Sequence, residues 1–135
     1  MSLAVFLKLY SVVFVTFMVI DLVWLGVVAR SFYRAELGHL MRAEVNWVAA
    51  VLFYLIFVAG IVVLAAWPAI ERESLSRAVL LGAFFGLVTY AAYDLTNLAT
   101  LDGFPVRMVV VDMLWGTVLC ATISTITYLA STRIL

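Results

Sequence analysis

The sequence predicts an all-α integral membrane protein, an antiparallel bundle of four transmembrane helices with a short interfacial segment between helices one and two. Three observations carry that expectation. Of the 135 residues, 67% are hydrophobic and only 12% charged, and the mean hydropathy is +1.22. A soluble domain keeps about a quarter of its residues charged, so lipid must be the solvent for most of this chain. A window of about 19 residues finds four apolar segments long enough to cross a bilayer, and the stretches between them are short and polar.

The first apolar segment runs roughly from Leu3 to Ala29. It is too long for a cleaved signal peptide, carries Asp21 inside it, and is followed by no small-x-small cleavage site. Arg30–Glu44 (RSFYRAELGHLMRAE) is the most charged connection, read as an interfacial helix with Leu37, Leu40 and Met41 toward lipid. The second segment, Val45–Trp67, is framed by Trp47 and Trp67. Those residues lie about 30 Å apart along a helix, the spacing of two interfacial anchors. Pro68–Ser76 reads as a polar turn in which Ser74 or Ser76 can cap the third segment, Arg77–Leu101. Asp102, Gly103 and Pro105 make a tight turn into the fourth, Val106–Ala130. The whole of residues 1–135 is read as one such domain, without linker, low-complexity tract or second domain.

We call side A the face holding both termini and the 68–76 turn, and side B the opposite face. Side A carries Lys8, Arg72, Arg77 and Arg133, and side B carries Arg30, Arg34, Arg42 and Arg107. The positive-inside comparison is a tie and leaves orientation open. Eight basic and eight acidic residues give a formal charge of zero, which removes the electrostatic case for nucleic acid as a partner. A single cysteine, Cys120, excludes an intrachain disulfide, and a single histidine, His39, excludes a bis-histidine haem held by one chain. Lys8, the only lysine, lies near a helix end, so a retinal Schiff base is not expected.

Three carboxylates interrupt the apolar segments: Asp21, Asp94 and Asp112. Each costs about 2.5–3.5 kcal/mol at a helix centre on insertion scales, so their presence asks for a reason. At 1.5 Å rise per residue they fall roughly 12, 10 and 9 Å below side B, one layer of one leaflet reached from three helices. Tyr90, Asp94 and Asn97 share a face of the third helix, with Tyr93 on an adjoining polar stripe. The string D-x-x-W occurs twice, as Asp21–Trp24 and Asp112–Trp115, on antiparallel helices. Asn46 enters the second helix from side B with Tyr54 two turns deeper, and His39 lies in the side B loop. Gly82 and Gly86 form a GxxxG that lets a helix approach closely, either within the chain or from a homo-oligomer or another membrane protein.

Taken together, the strings IDLVWLG, FYRAELGHLM, LFYLIFVAG, YAAYDLTNLATL and VDMLWG resemble the bacterial membrane family named domain of unknown function 2177, over nearly the whole chain. The resemblance implies a small four-helix protein of the bacterial inner membrane. It supports Asp21, Trp24, Asp94, Asn97, Asp112 and Trp115 as the family pattern, and some members encoded near lipid-modifying enzymes point toward lipid chemistry. It supplies no mechanism and leaves the question of a cofactor open.

Three functional readings follow. In the first, a polar pocket open to side B binds or modifies a lipid or other apolar small molecule. Asp94, Asp21 and Asp112 would be its acid–base groups or, with no metal motif to insist on it, a seat for a hard divalent ion. Trp24, Tyr90, Tyr93, Asn97, Trp115, Asn46, Tyr54 and His39 would surround the substrate. The second reading is an oligomeric proton- or cation-handling transporter or channel subunit. The third is a structural partner whose aspartates lock the bundle or dock another membrane protein. The side A halves of helices one to three are almost wholly apolar, which favours a blind pocket over a through-path.

Overall fold

A computed structural model describes all of residues 1–135 and contains no strand. Four helices are long and apolar enough to cross a membrane: Leu3–Val28, Trp47–Glu71, Leu75–Thr100 and Val106–Ile134. We refer to them as spans one to four. A fifth, amphipathic helix, Arg30–Leu37, connects spans one and two on side B. The termini meet on side A, where the Lys8 ammonium donates to the Ile134 carbonyl at 2.8 Å. That contact satisfies a carbonyl the helix end leaves free, and it places a cation at the negative end of the helix dipole.

Span two continues past Trp67 to Glu71, four residues further than its expected end. The reason is a π-helical turn over Val62–Ala66, in which the Trp67 N–H reaches back to the Val62 carbonyl. Pro68 lacks an N–H and its ring would crowd the preceding turn of a regular α-helix. The wider turn absorbs that conflict, and the helix survives the proline. Trp67 is therefore not a simple anchor: it is half-buried and packs on the core, whereas Trp47 is 71% exposed, as an interfacial tryptophan should be. Ser74 caps span three by accepting from the Arg77 N–H at 3.3 Å. Gly103 takes the left-handed conformation (φ 74°) that turns span three into span four.

Spans three and four form the tightest pair. Ala78, Gly82, Gly86 and Asp94 are the buried residues of span three, all on one i, i+4 stripe. A Cβ on Gly82 would lie 2.5 Å from the Cys120 carbonyl oxygen, and one on Gly86 would strike the backbone of Gly116. The GxxxG face is thus covered by span four of the same chain rather than open to a partner. Around this seam, Leu9, Val13 and Phe17 of span one, Phe57, Val58, Ile61 and Val62 of span two, and Leu119, Cys120 and Ile123 of span four make the main core.

That core belongs to the side A half. Span two shows the asymmetry most clearly. From Phe57 to Ala69 seven of its residues are buried, while none is buried from Trp47 to Ile56. Its side B half packs on span one and diverges from span three. A second, smaller cluster of Phe104, Met108 and Val109 seats the loop helix on side B through Phe32, Tyr33 and Leu37. The loop helix is shorter than the expected 30–44 segment. Of the three apolar residues expected to face lipid, Leu37 turns inward and Leu40 and Met41 stay exposed.

A cavity built by two D-x-x-W motifs

The two D-x-x-W motifs meet. The Trp24 and Trp115 rings stack with centroids 4.0 Å apart and planes 7° from parallel. Depth counted along the helices separates their Cα atoms by about four residues' rise, roughly 6 Å. Side-chain direction closes that gap. In a helix each Cα–Cβ bond leans toward the N-terminus, so Trp24 leans deeper into the membrane while Trp115, on an antiparallel span, leans toward side B. The π-helical turn Trp24–Val28, closed by the Ala29 N–H on the Trp24 carbonyl at 2.7 Å, sits at the same point. Such a turn widens the helix and re-aims its side chains.

Each aspartate then serves the opposite motif. Asp21 is 7% exposed, accepts from the Tyr54 hydroxyl at 3.4 Å on Oδ2, and lies beside the Trp115 indole. Asp112 accepts from the Tyr33 hydroxyl, which in turn accepts from the Trp24 indole N–H at 3.3 Å. Tyr33 therefore joins the loop helix to spans one and four in one chain of hydrogen bonds. Burial and the Asp112 carboxylate push the Tyr33 phenol above its ordinary range, so it remains a donor. The third carboxyl, Asp94, is fully buried beside Asp112, and neither of its oxygens has a hydrogen-bond partner. No three side chains of the metal-binding types converge to hold an ion. The common depth of the three aspartates therefore resolves into a pair, Asp94 and Asp112, and a separate Asp21.

These groups enclose a cavity of about 420 Å³, within the range of small-molecule pockets. Span one supplies Phe17, Asp21, Trp24 and Leu25; the loop helix Tyr33 and Leu37; span two Phe53, Tyr54 and Phe57; span three Thr89, Tyr90 and Tyr93; span four Met108, Asp112 and Trp115. Tyr90 is held against span four because Gly116 has no side chain to displace its ring. Phe57 forms the floor, with its ring 5.5 Å from Phe17, 5.4 Å from Phe85 and 6.4 Å from Tyr90. Above that level Phe53 and Tyr93 are 50% and 54% exposed, on either side of the gap between spans two and three. The cavity accordingly opens sideways between spans two and three.

Of the side chains expected at the site, Asp21, Asp112, Trp24, Trp115, Tyr54, Tyr90 and Tyr93 line this cavity. Asp94 does not; it is one layer back, behind Asp112. Asn97 lines a neighbouring pocket of about 490 Å³ with Leu40, Met41 and Tyr93. Asn46 is exposed and caps span two by accepting from the Ala49 N–H at 3.2 Å. His39 is exposed in the turn after the loop helix, away from the cavity. Among the hydrogen-bonding groups of the network, Tyr33 is the one that sequence reasoning missed. Its signal was the i, i+4 pair Tyr33 and Leu37 on an amphipathic helix, which gives a short connection an inward face. The threonines of spans three and four donate to carbonyls three or four residues back in their own helices, as Thr89 does to Phe85 and Thr117 to Met113.

A family of proteins described as predicted membrane protein (DUF2177) matches residues 6–129 of this chain. The chain belongs to that family. The match covers spans two and three, most of spans one and four, the loop helix and every cavity-lining residue, so the crossed D-x-x-W pair lies within the family's extent. No curated protein and no solved structure matches the chain.

Proposed function

We propose that the chain binds a membrane lipid or similar apolar molecule in the side B cavity, reached laterally between spans two and three. The observation that carries this reading is the combination at one place: an aromatic-walled cavity in the bilayer, a gap toward lipid, and carboxylates at its inner wall. A buried carboxylate in hydrocarbon is expensive, and a bound partner gives it a reason to be there. The sealed side A half supports a blind pocket over a through-path. Leu9, Val13, Ile61, Val62, Ala65 and Ile123 are all 0% exposed there, and the buried hydroxyls of that half, Ser124, Thr127 and Ser131, come from span four alone, too few to line a path.

The test is lipid retention. Protein extracted in a mild detergent and transferred to native mass spectrometry should carry an apolar small molecule that survives activation. A Leu25→Trp variant, which fills the cavity from a lipid-facing position, should lose it. Equal retention by both proteins would exclude the cavity as the place of binding.

A second reading, chemistry on the bound molecule, rests on Asp21 and Asp112 reaching the cavity wall and on Asp94 behind Asp112. An amide keeps a carboxyl group's size and hydrogen bonds but cannot transfer its proton. Asp112→Asn and Asp94→Asn should then leave the ligand bound and change the membrane lipid profile of cells that depend on the protein. An unchanged profile leaves binding alone.

A further inference from the structure

We propose that the cavity selects molecules with an ammonium head group, so that its occupant is an alkylamine or an amine-headed lipid rather than a fatty acid or an anionic lipid. This deepens the binding reading above and rests on it. The first observation is charge. Asp21 and Asp112 line the cavity, and no lysine, arginine or histidine does. Arg107 on side B is engaged by Glu36 at 3.8 Å and stands over the Phe32 ring, its side chain 77% exposed. An anionic head group inside would lie beside two acidic side chains without a counter-charge, in a medium that screens little.

The second observation is an acceptor left open. Asp21 is only 7% exposed, yet just one of its oxygens, Oδ2, holds a hydrogen bond, from Tyr54. The Trp115 indole N–H beside it closes no hydrogen bond. An N–H donor from a ligand completes the Asp21 oxygen directly. The third observation is the wall. Trp24, Trp115, Tyr54 and Tyr90 present aromatic rings around the acidic group. Aromatic faces attract cations, most strongly when water is excluded, and tryptophan is the best of them. Acid and aromatic box together recognise one chemistry, an ammonium group on an apolar stem.

Intrinsic fluorescence reads this out, because two of the four tryptophans line the cavity. A Trp47→Phe, Trp67→Phe protein in bilayer discs keeps only Trp24 and Trp115. Terminally brominated hexylamine, hexanol and hexanoic acid then serve as quenchers of matched length. The amine should quench at a concentration about tenfold below the acid, with the alcohol between. Asp21→Asn should bring the amine to the level of the alcohol, and the head-group series on the parent protein stands if that variant does not fold. Discs of phosphatidylglycerol with and without phosphatidylethanolamine separate the sources. Competition by phosphatidylethanolamine identifies a lipid head group as the ammonium, and its absence identifies a free amine. Quenching by the acid at or below the amine's concentration overturns the ammonium assignment and leaves the cavity intact. No quenching by any of the three overturns the binding reading itself.

Discussion

The side A and side B halves of this bundle are built on opposite plans. In the side A half, small residues let backbones touch: Gly82 and Gly86 meet span four, and Ala65, Ala66 and Ala69 of span two are fully buried. In the side B half, large aromatics hold the same helices apart, and acidic groups occupy the space between. Helix association in a bilayer gains nothing from hydrophobic transfer, since lipid tails are as apolar as leucine, so close packing must hold the bundle together. The difference teaches where the fold is secured and where it is spent. The glycine seam fixes spans three and four, and span two, packed on span one, is then free to diverge from span three around a cavity.

The largest expected effect comes from attacking the seam. At Gly86 a side chain meets the Gly116 backbone, which cannot rotate away. Gly86→Leu should abolish cooperative thermal unfolding in detergent, and Gly86→Ala should lower stability by about 1–3 kcal/mol, as overpacking does. Gly26 supplies the control. It lies in span one near side B, where an added Cβ would meet nothing within 4 Å, and Gly26→Ala should shift stability by no more than about 0.5 kcal/mol. Equal effects at the two glycines would erase the contrast between the halves.

Next in size is the boundary. Phe57 is 5% exposed and closes the cavity floor against Phe17 and Phe85. Phe57→Ala should destabilise by about 3 kcal/mol, the low end for such truncations, because lipid replaces no water here. It should also deepen the cavity, so longer quenchers than hexyl chains gain access to Trp24 and Trp115. Lost stability without that gain would mean that the floor is elsewhere.

How much of this was readable in the residues depends on what each feature needs. The four spans were legible because hydropathy acts locally and additively. The end of span two was not, because the π-helical turn that carries it through Pro68 depends on backbone register rather than on composition. The two D-x-x-W strings announced themselves, and depth arithmetic brought Asp21, Asp94 and Asp112 to one layer. Depth alone could not tell wall from interior. Side-chain reach decides that: on one face of span three the long Tyr90 ring extends past Gly116 into the cavity, whereas the short Asp94, one turn on, stays buried beside Asp112. Tyr33 was hidden for another reason. A loop residue takes its role from where the loop folds back, and that is a contact far apart in sequence, from residue 33 to residue 112.

The smallest effects test how the loop helix is tethered across side B. Beside its packing on Phe104, Met108 and Val109, two polar links hold it: the half-buried hydrogen bonds of Tyr33 to Asp112 and Trp24, and the ion pair of Glu36 with the exposed Arg107. A hydrogen bond to a charged acceptor contributes about 1.5–3 kcal/mol, whereas an exposed ion pair contributes about 0–1 kcal/mol and is screened by salt. Tyr33→Phe removes only a hydroxyl and keeps the ring against Phe104 and Met108, so it isolates the hydrogen bonds. It should raise amide exchange across Arg30–Leu37 and expose that segment to protease. Arg107→Gln should do so far less, and the small change it makes should vanish in high salt. The order matters for the cavity, because Tyr33 and Leu37 form part of its wall. If Arg107→Gln loosens the helix as much as Tyr33→Phe does, surface charge rather than the crossed D-x-x-W network holds side B closed.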